Sequence, residues 1–395
     1  MSTFLSVIFW LSLFIVCYSY VGYGLLLYFV IRVKRLLHGH SQHGDPSFVP
    51  PVTFLVAAYN EEDFIAEKIK NSLAMDYPAD KIRFIFVTDG SSDRTNEIIA
   101  QYPQVTLLYH PQRKGKMAAV NRAMEEVHTP FVVLSDANTL LNPGAVSLLM
   151  QHFADPATGV VAGEKKVMPT TGGAEAEGEG MYWKYESLLK KWDAELYSVM
   201  GAAGELIAIR TELYEHPEED TILDDFMISF RINMKGYKVM YEPAAYAMET
   251  SSASLREEYK RKVRICAGGF QSMGRLLPLL NPFRYPKITW QYISHRILRW
   301  TLAPLSLLLA IISNAFLVIA QAGNIYIVTG IAQVCFYGAA LIGYLLAKRQ
   351  KKVKYFYIPF YFVFMNVAVY IGCIRYFRKR QSAVWERAQR SVAVQ

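Results

Sequence analysis

No charged residue occurs between Met1 and Ile31. The apolar run that starts at Phe4 is longer than the roughly 20 residues a helix needs to cross the hydrocarbon of a bilayer. No basic segment precedes it, and Arg32, Lys34 and Arg35 follow directly. A cleaved secretory signal has the opposite layout, with a basic start and a shorter apolar core. Residues 1–35 therefore read as a membrane anchor, and the excess of basic residues just after it assigns Arg32–Arg35 to the cytosol.

Further apolar stretches lie near the other end. Thr301–Ala347 carries no charge and is long enough for two helices with a break near Gln321–Asn324. Tyr355–Ile374 is a third candidate of minimal crossing length. The expected organisation is one span, a polar block of roughly 250 residues, and then two or three spans. Lys348, Arg349, Lys351, Lys352 and Lys354 agree with a span returning to the cytosol. Arg375, Arg378, Lys379 and Arg380 do not, since a third full crossing would place them outside. Either the last segment, which contains Pro359, is re-entrant or interfacial, or the charge rule fails there.

Composition excludes several classes. The 395 residues include 42 Lys+Arg against 34 Asp+Glu, and much of the +8 balance sits in the clusters flanking the spans, where it suits anionic headgroups. No nucleic-acid-binding motif accompanies it, so nucleic acid is not an expected partner. With 14% aromatic and 19% charged residues the chain lacks the signature of disorder. Cys17, Cys266, Cys335 and Cys373 form no C-x-x-C pair, which argues against a zinc site and a disulfide framework. The eight histidines show neither H-x-x-x-H nor H-E-x-x-H spacing, and His38, His40 and His43 read as part of a solvated linker.

The polar block alternates short β-rich runs (Val52–Tyr59, Ile82–Asp89, Val105–His110, Phe131–Asp136) with helix-like stretches at Glu62–Met75, Arg94–Gln101, Met117–Val127 and Gly144–Phe153. This alternation predicts an α/β fold with a mostly parallel sheet and helices on both faces. Such sheets bind ligands just beyond the carboxyl ends of their strands. Polar clusters lie at those ends: Tyr59–Asp63, Thr88–Asp93 and Ser135–Thr139. One of them alone could be a helix cap. Three in register point to a site. There is no G-x-G-x-x-G after the first strand and no G-x-x-x-x-G-K-[ST], which argues against a dinucleotide fold and a P-loop. Beyond this region, Gly172–Gly180 reads as a flexible acidic linker before a helix carrying Trp183, Tyr185 and Glu186. Gly201–Gly204 opens a β-like run to Arg210, Leu223–Phe226 precedes a helix ending near Lys235 and Gly236, and Val239–Glu249 reads as a strand.

The ordered set AAYNEE, DGSSD, RKGK, SDAN, GEKK, YWKYE, GAAG, LDDF and RKVRI over residues 50–275 resembles the membrane-embedded branch of the family 2 glycosyltransferases, the cellulose, hyaluronan and poly-N-acetylglucosamine synthases. The resemblance implies a GT-A type nucleotide-diphospho-sugar transferase domain over residues 45–253, interfacial amphipathic helices over 254–296, transmembrane helices over 297–377 and a tail over 378–395. It also implies inverting transfer from a UDP-sugar of the UDP-glucose or UDP-N-acetylglucosamine class. The resemblance assigns the base for the acceptor hydroxyl to Asp225. It assigns the donor nucleotide to Ala58, Tyr59, Glu61, Asp89, Lys116, Asp136 and Arg264, and the acceptor side to Trp183, Glu186, Gly204 and Asp224; Trp183, Tyr185 and Glu186 could equally be simple helix packing, and Asp224 a helix cap. The family's Asp-x-Asp becomes Asp136-Ala-Asn138, so Mg²⁺ or Mn²⁺ would meet one carboxylate and one amide oxygen.

The last motif departs from the family. Its Q-x-x-R-W reads Arg261-Lys-Val-Arg264-Ile265, which keeps the arginine and loses the tryptophan that would stack on acceptor sugar. The expected protein is thus a multi-pass inner (cytoplasmic) membrane polysaccharide synthase whose catalytic domain is cytosolic. It extends a β-linked glycan with coupled export; so few spans call for an accessory membrane subunit or a second copy. The alternatives are a non-processive transferase to a lipid-linked acceptor, which the altered last motif favours, and a nucleotide-binding pseudoenzyme regulator, against which Asp136, Asp225 and Arg264 stand. A transporter would need ionisable residues within its spans, and Thr301–Ala347 has none.

Overall fold

The computed structural model describes residues 2–39, 44–167, 175–250, 254–349, 351 and 353–382. The chain divides into a helical unit, built from Met1–Val33, Pro169–Leu189 and Ala253–Arg380, and a sheet unit, built from Lys34–Met168 and Lys190–Ser252. Residues 175–189, which sequence reading places within the catalytic block, fall in the helical unit.

The sheet unit holds β1 (Val52–Ala58), β2 (Ile82–Asp89), β3 (Val105–His110), β4 (Phe131–Asp136), β5 (Leu140–Leu141), β6 (Thr158–Val167), β7 (Leu206–Arg210) and β8 (Lys238–Glu249) in the order β3-β2-β1-β4-β7-β6-β8-β5. The first four are parallel, β7 runs antiparallel to both β4 and β6, and β6 pairs parallel with β8. The sheet is thus mixed. Every residue of β1 is buried, as helices on both faces require. Alternation splits its side chains: Phe54 and Val56 join Val133 in one core, while Leu55 and Ala57 join Val132 and Leu134 in the other. The chain leaves β1 for β2 on one side and returns to β4 on the other, so β1 and β4 bound the crevice where the strand order reverses. Their register sets Ala57 beside Asp136.

The structure adds one strand and corrects one expectation. The GEKK motif lies on the ten-residue β6. Its apolar stretch is short and it ends in adjacent charges, which hides the strand pattern. Lys165 is tolerated there because its ammonium pairs with Glu205 at 2.5 Å and with Glu249. The acidic linker is also helical from Glu175, within a helix running to Leu196, while residues 172–174 lie outside the described residues. Ala, Glu, Met, Leu and Lys are strong helix formers, and over this length they outweigh Gly178 and Gly180.

Among the described residues, Ser2–His38, Leu302–Ile319, Asn324–Lys348 and Lys354–Phe377 are each long and apolar enough to cross a membrane. The break between the second and third falls where the sequence placed it, with Gln321 (φ 51°) and Gly323 (φ 145°) in left-handed conformations. The fourth helix runs on through Pro359. A charged helix, Leu255–Arg275, is capped by Ser254, whose Oγ accepts the Glu257 N–H. A further helix starts at Pro286, passes through a π-helical segment at Ile293–Ile297 and breaks at Thr301.

The first helix has its own π-helical segment at Tyr18–Gly22, and the two segments meet: Tyr18 Oη lies 2.8 Å from Ser294 Oγ. Arg299 Nε donates to the Ser19 carbonyl at 3.0 Å. The Arg299 guanidinium also donates to buried Glu186 at 2.6 Å, and His295 Nε2 lies 3.0 Å from the other Glu186 oxygen. Burial would raise the Glu186 carboxyl, but Arg299 and His295 outweigh it and hold it well below the usual carboxylate range.

Candidate active site

The crevice between β1 and β4 is lined at its polar end by Lys116, Asp136, Gly204, Asp224 and Asp225. Lys116 is the first residue of the helix Lys116–Met124, and the chain reaches it through Gly115 at φ 104°, a conformation that glycine adopts without strain. A cation is disfavoured at a helix N-terminus. Two carboxylates offset that here: the Lys116 ammonium lies 2.9 Å from Asp136 Oδ1 and 3.0 Å from Asp224 Oδ2. Burial works against its charge, but Asp136 and Asp224 prevail and raise its pKa.

Asp224 is the first residue of the helix Asp224–Met234, with Leu223 in the cap position, so it is not the cap that its sequence position allows. Burial opposes its ionisation, but Lys116 outweighs burial and lowers its pKa. Asp225 beside it behaves oppositely. Burial, with the nearby charges of Asp224 and Glu205, pushes its carboxyl up to about 7. Adjacent carboxylates with divergent environments are a recognised arrangement for dividing charge and proton-transfer roles. Gly204 fits closely against the second of them: a Cβ on it would lie 3.3 Å from Asp225 Cγ.

The loops after β1 and β2 are latched together. Asn60, at φ 53°, accepts the Ser92 N–H at 2.8 Å, and the Glu61 N–H donates to Thr95 Oγ1 at 2.8 Å. Asp89 accepts the N–H groups of Lys114 at 2.9 Å and Gly115 at 2.6 Å, which fixes the RKGK loop over the end of β2. Each of its oxygens keeps a second lone pair. Tyr59, following Ala58 at the end of β1, lies under the Arg113 guanidinium, 3.8 Å from its ring centre.

Sequence reading missed three neighbours. Arg113 belongs to the RKGK motif but was not singled out. Glu205 left no signal beyond its place after GAAG. Lys68 left one: it shares a helical face with buried Ile65, Ile69 and Ser72. It is wholly buried, and its Nζ donates to Ser135 Oγ at 2.8 Å and to the Thr139 carbonyl at 2.9 Å, bracketing the segment with Asp136 and Asn138. Burial, only partly opposed by Asp136, brings its pKa down to about 7.

The remaining expected residues lie in the helical unit. Arg264 is half-buried on Leu255–Arg275, Trp183 lies against Lys262 with the ammonium 5.0 Å from its ring centre, and Glu186 belongs to the Arg299–His295 cluster. Among the described residues, no group of three or more His, Cys, Asp or Glu side chains could hold a metal by itself. Asp136 lines the crevice, and with Asn138, two residues on, it would offer one carboxylate and one amide. That donor set fits a Mg²⁺- or Mn²⁺-type ion which takes its other ligands from water and substrate phosphates.

Comparison with known proteins is consistent with this geometry. Residues 53–216 match the family model described as Glycosyl transferase family 2. The chain is 26% identical over 264 residues to the poly-beta-1,6-N-acetyl-D-glucosamine synthase of Staphylococcus aureus (strain MSSA476), over 61% of this chain and 63% of that protein. The Staphylococcus epidermidis protein of the same name is 25% identical over 295 residues, 68% of this chain and 69% of that protein. The chain thus spans less than two thirds of the length of the first of these relatives. Among solved structures, the mannosyltransferase PcManGT from Pyrobaculum calidifontis, in complex with GDP-Man and Mn2+, matches with a TM-score of 0.72 at 22% identity, covering 95% of this chain and 99% of that one. At that identity the likeness concerns the fold.

Proposed function

We propose that this chain, which carries a family 2 glycosyltransferase domain of GT-A type together with membrane-spanning helices, is an inverting polysaccharide synthase that uses a UDP-sugar at the cytosolic face. The observation that carries the reading is the pairing of Lys116 with Asp136 and Asp224 beside Asp225, a carboxyl that burial and the charges of Asp224 and Glu205 push up to about 7. A base of that pKa is suited to proton transfer near neutrality.

In the proposed reaction the acceptor hydroxyl oxygen attacks the anomeric carbon of the donor from the face opposite its diphosphate. Asp225 takes the hydroxyl proton, the bond to the diphosphate oxygen breaks, and its electron pair leaves with the diphosphate. One-step displacement inverts the configuration. Lys116 supplies fixed positive charge for the leaving group, which a pre-organised ammonium does without reorganisation. A divalent cation held by Asp136 and Asn138 would neutralise further diphosphate charge. Asp89 holds the RKGK loop, and Ala58, Tyr59 and Glu61 form the wall proposed for the base.

The curated relatives are named for poly-N-acetylglucosamine synthesis, which favours UDP-N-acetylglucosamine as donor. The fold neighbour was solved with GDP-mannose, so that donor belongs in the test. Export would run beside the chain's own helices, with an accessory subunit or second copy. A second reading, single transfer to a lipid-linked acceptor, is favoured by Ile265 in place of the stacking tryptophan.

The deciding experiment incubates membranes containing the protein with labelled UDP-N-acetylglucosamine, UDP-glucose and GDP-mannose, with Mg²⁺ or Mn²⁺, and sizes the products. Long polymer from a UDP-sugar is expected. Single-sugar lipid products would replace the synthase reading with the second one, and no transfer from any donor would remove both.

A further inference from the structure

The fourth apolar helix, Lys354–Phe377, is long enough to cross a bilayer, and its first half packs on Asn324–Lys348, where Gly343 fits against Phe356 and Phe336 meets Phe362 (ring centres 5.8 Å apart), yet the partner of its second half does not suit a crossing helix. Its second half packs lengthwise on Leu255–Arg275. Tyr259 meets Phe364 (ring centres 5.7 Å apart), Cys266 abuts Gly372, and Phe270 stacks on Tyr376 (6.4 Å). Both members of these pairs advance in the same direction and by nearly the same number of residues, so the two helices run side by side and parallel. Leu255–Arg275 carries Arg256, Glu257, Glu258, Lys260, Arg261, Lys262 and Arg264 in its first turns. A helix with that charge load cannot accompany a partner through hydrocarbon.

The bundle's other contacts agree. Phe9 of the first helix, Ala310 and Leu317 of the second and Tyr326 of the third form one buried cluster, and Tyr326 Oη donates to Ser6 Oγ at 3.0 Å. That end of the bundle is built by three helices. The fourth helix joins at the other end. Its Phe362 lies 4.8 Å from Tyr20, Asn366 accepts from Tyr20 Oη at 2.8 Å, and Tyr370 donates to the carbonyl of Pro304 in the first turn of Leu302–Ile319. Tyr357, Phe360, Phe364, Ala368 and Gly372 face protein, whereas Val367, Ile374 and Phe377 are left on a common exposed face. Both ends are basic, with Lys351 and Lys354 before the helix body and Arg375, Arg378, Lys379 and Arg380 at its end.

We infer that Lys354–Phe377 lies in the plane of the membrane, seated in the leaflet on the side of Arg32–Arg35, and that the chain crosses the bilayer three times rather than four. Its partner is that leaflet: the exposed apolar face enters the acyl boundary while the basic ends meet anionic headgroups. The arrangement removes the charge conflict, because both basic clusters then lie on one side.

The test uses full-length protein in oriented membrane vesicles and a membrane-impermeant maleimide. Single cysteines are introduced as Ser382→Cys, Lys351→Cys and Ala322→Cys in a background with Cys17, Cys335 and Cys373 changed to Ser and buried Cys266 to Ala. Ser382→Cys is expected to react from the same vesicle face as Lys351→Cys, and Ala322→Cys from the opposite one. Reaction of Ser382→Cys from the Ala322→Cys face, or equally from both, would overturn the inference. Should the background fail to fold, fusions of green fluorescent protein or alkaline phosphatase after Gln395 of the unaltered chain decide it. Fluorescence with an inactive phosphatase is expected, and an active phosphatase with a dark fluorescent protein overturns it. Neither readout depends on sugar transfer, so it is separable from the proposed activity.

Discussion

The Lys116 ammonium stands 3.0 Å from the Asp224 carboxylate and spans from there to Asp136, on a different element of the sheet unit. Removing the cation would leave two partly buried carboxylates facing each other. Lys116→Met is expected to destabilise the fold by about 3 kcal/mol, the lower end for breaking a buried pair because all three side chains keep some solvent contact. It should also weaken donor binding by about tenfold or more, since the charged contact proposed for the diphosphate would be lost. Thermal melting with and without UDP-sugar checks both. An unchanged ligand-induced shift in melting temperature would remove Lys116 from the donor site.

Asp225 is raised to about 7, so two effects of Asp225→Asn are expected to have opposite signs. Transfer should fall by about 10²–10⁴, the usual contribution of a general base, with donor affinity little changed. Stability should rise. Between the ordinary carboxylate value of 3.8 and about 7 the folded state holds a proton that the unfolded state has released, so stability falls with pH across that window. The Asn variant lacks this loss, and its advantage should open above about pH 4 and level off above pH 7 at about 2–4 kcal/mol. In the unaltered enzyme, turnover should rise through about pH 7 as the base deprotonates. A variant no more stable than the parent at pH 8 would contradict the buried environment of Asp225.

Much of this was legible in the sequence. β1, β2 and β4 are mostly apolar runs between turn residues, and the clusters at their ends mark the crevice because a strand's direction fixes where its last residues emerge. β6 was hidden because its register depends on pairing Lys165 with Glu205 and Glu249, which lie far along the chain. Charge partners separated in sequence are invisible to periodicity. The same holds for Asp224, whose tie to Lys116 bridges two helices, and for Glu186, whose partners Arg299 and His295 lie beyond the sheet unit's strands. The long apolar helices were visible by length, whereas what packs along the last one was not.

Glu186 is held ionised by Arg299 and His295 in a buried setting. Glu186→Gln would leave the guanidinium without its counter-charge and is expected to cost about 3 kcal/mol. Arg299→Met should do comparable harm, but the double variant should recover part of the loss, because neither charge is then stranded. Melting temperatures of the four proteins in detergent give the coupling directly. Strictly additive losses would show that Glu186 and Arg299 act independently despite their 2.6 Å contact.

Lys68 offers the cleanest link between a buried charge and pH. Its ordinary pKa of 10.5 falls to about 7 in the folded state. Between those values the unfolded chain binds a proton that the folded chain does not, so its contribution to stability rises with pH through that window and levels off above it. Below about pH 7 the folded protein must accommodate a buried ammonium, a burden of up to about 5 kcal/mol. Lys68→Met removes the burden but also the hydrogen bonds to Ser135 Oγ and the Thr139 carbonyl, whose loss should cost about 1–3 kcal/mol. The net change at one pH is therefore a small difference of larger effects, while the slope is not. From pH 7 to 9.5 the unaltered protein should gain stability relative to Lys68→Met, whose curve should be flatter over the same range. Parallel curves would show that Lys68 keeps an ordinary pKa. Because the lysine brackets Asp136 and Asn138, the variant should also bind donor less tightly at pH values where the two proteins are equally stable.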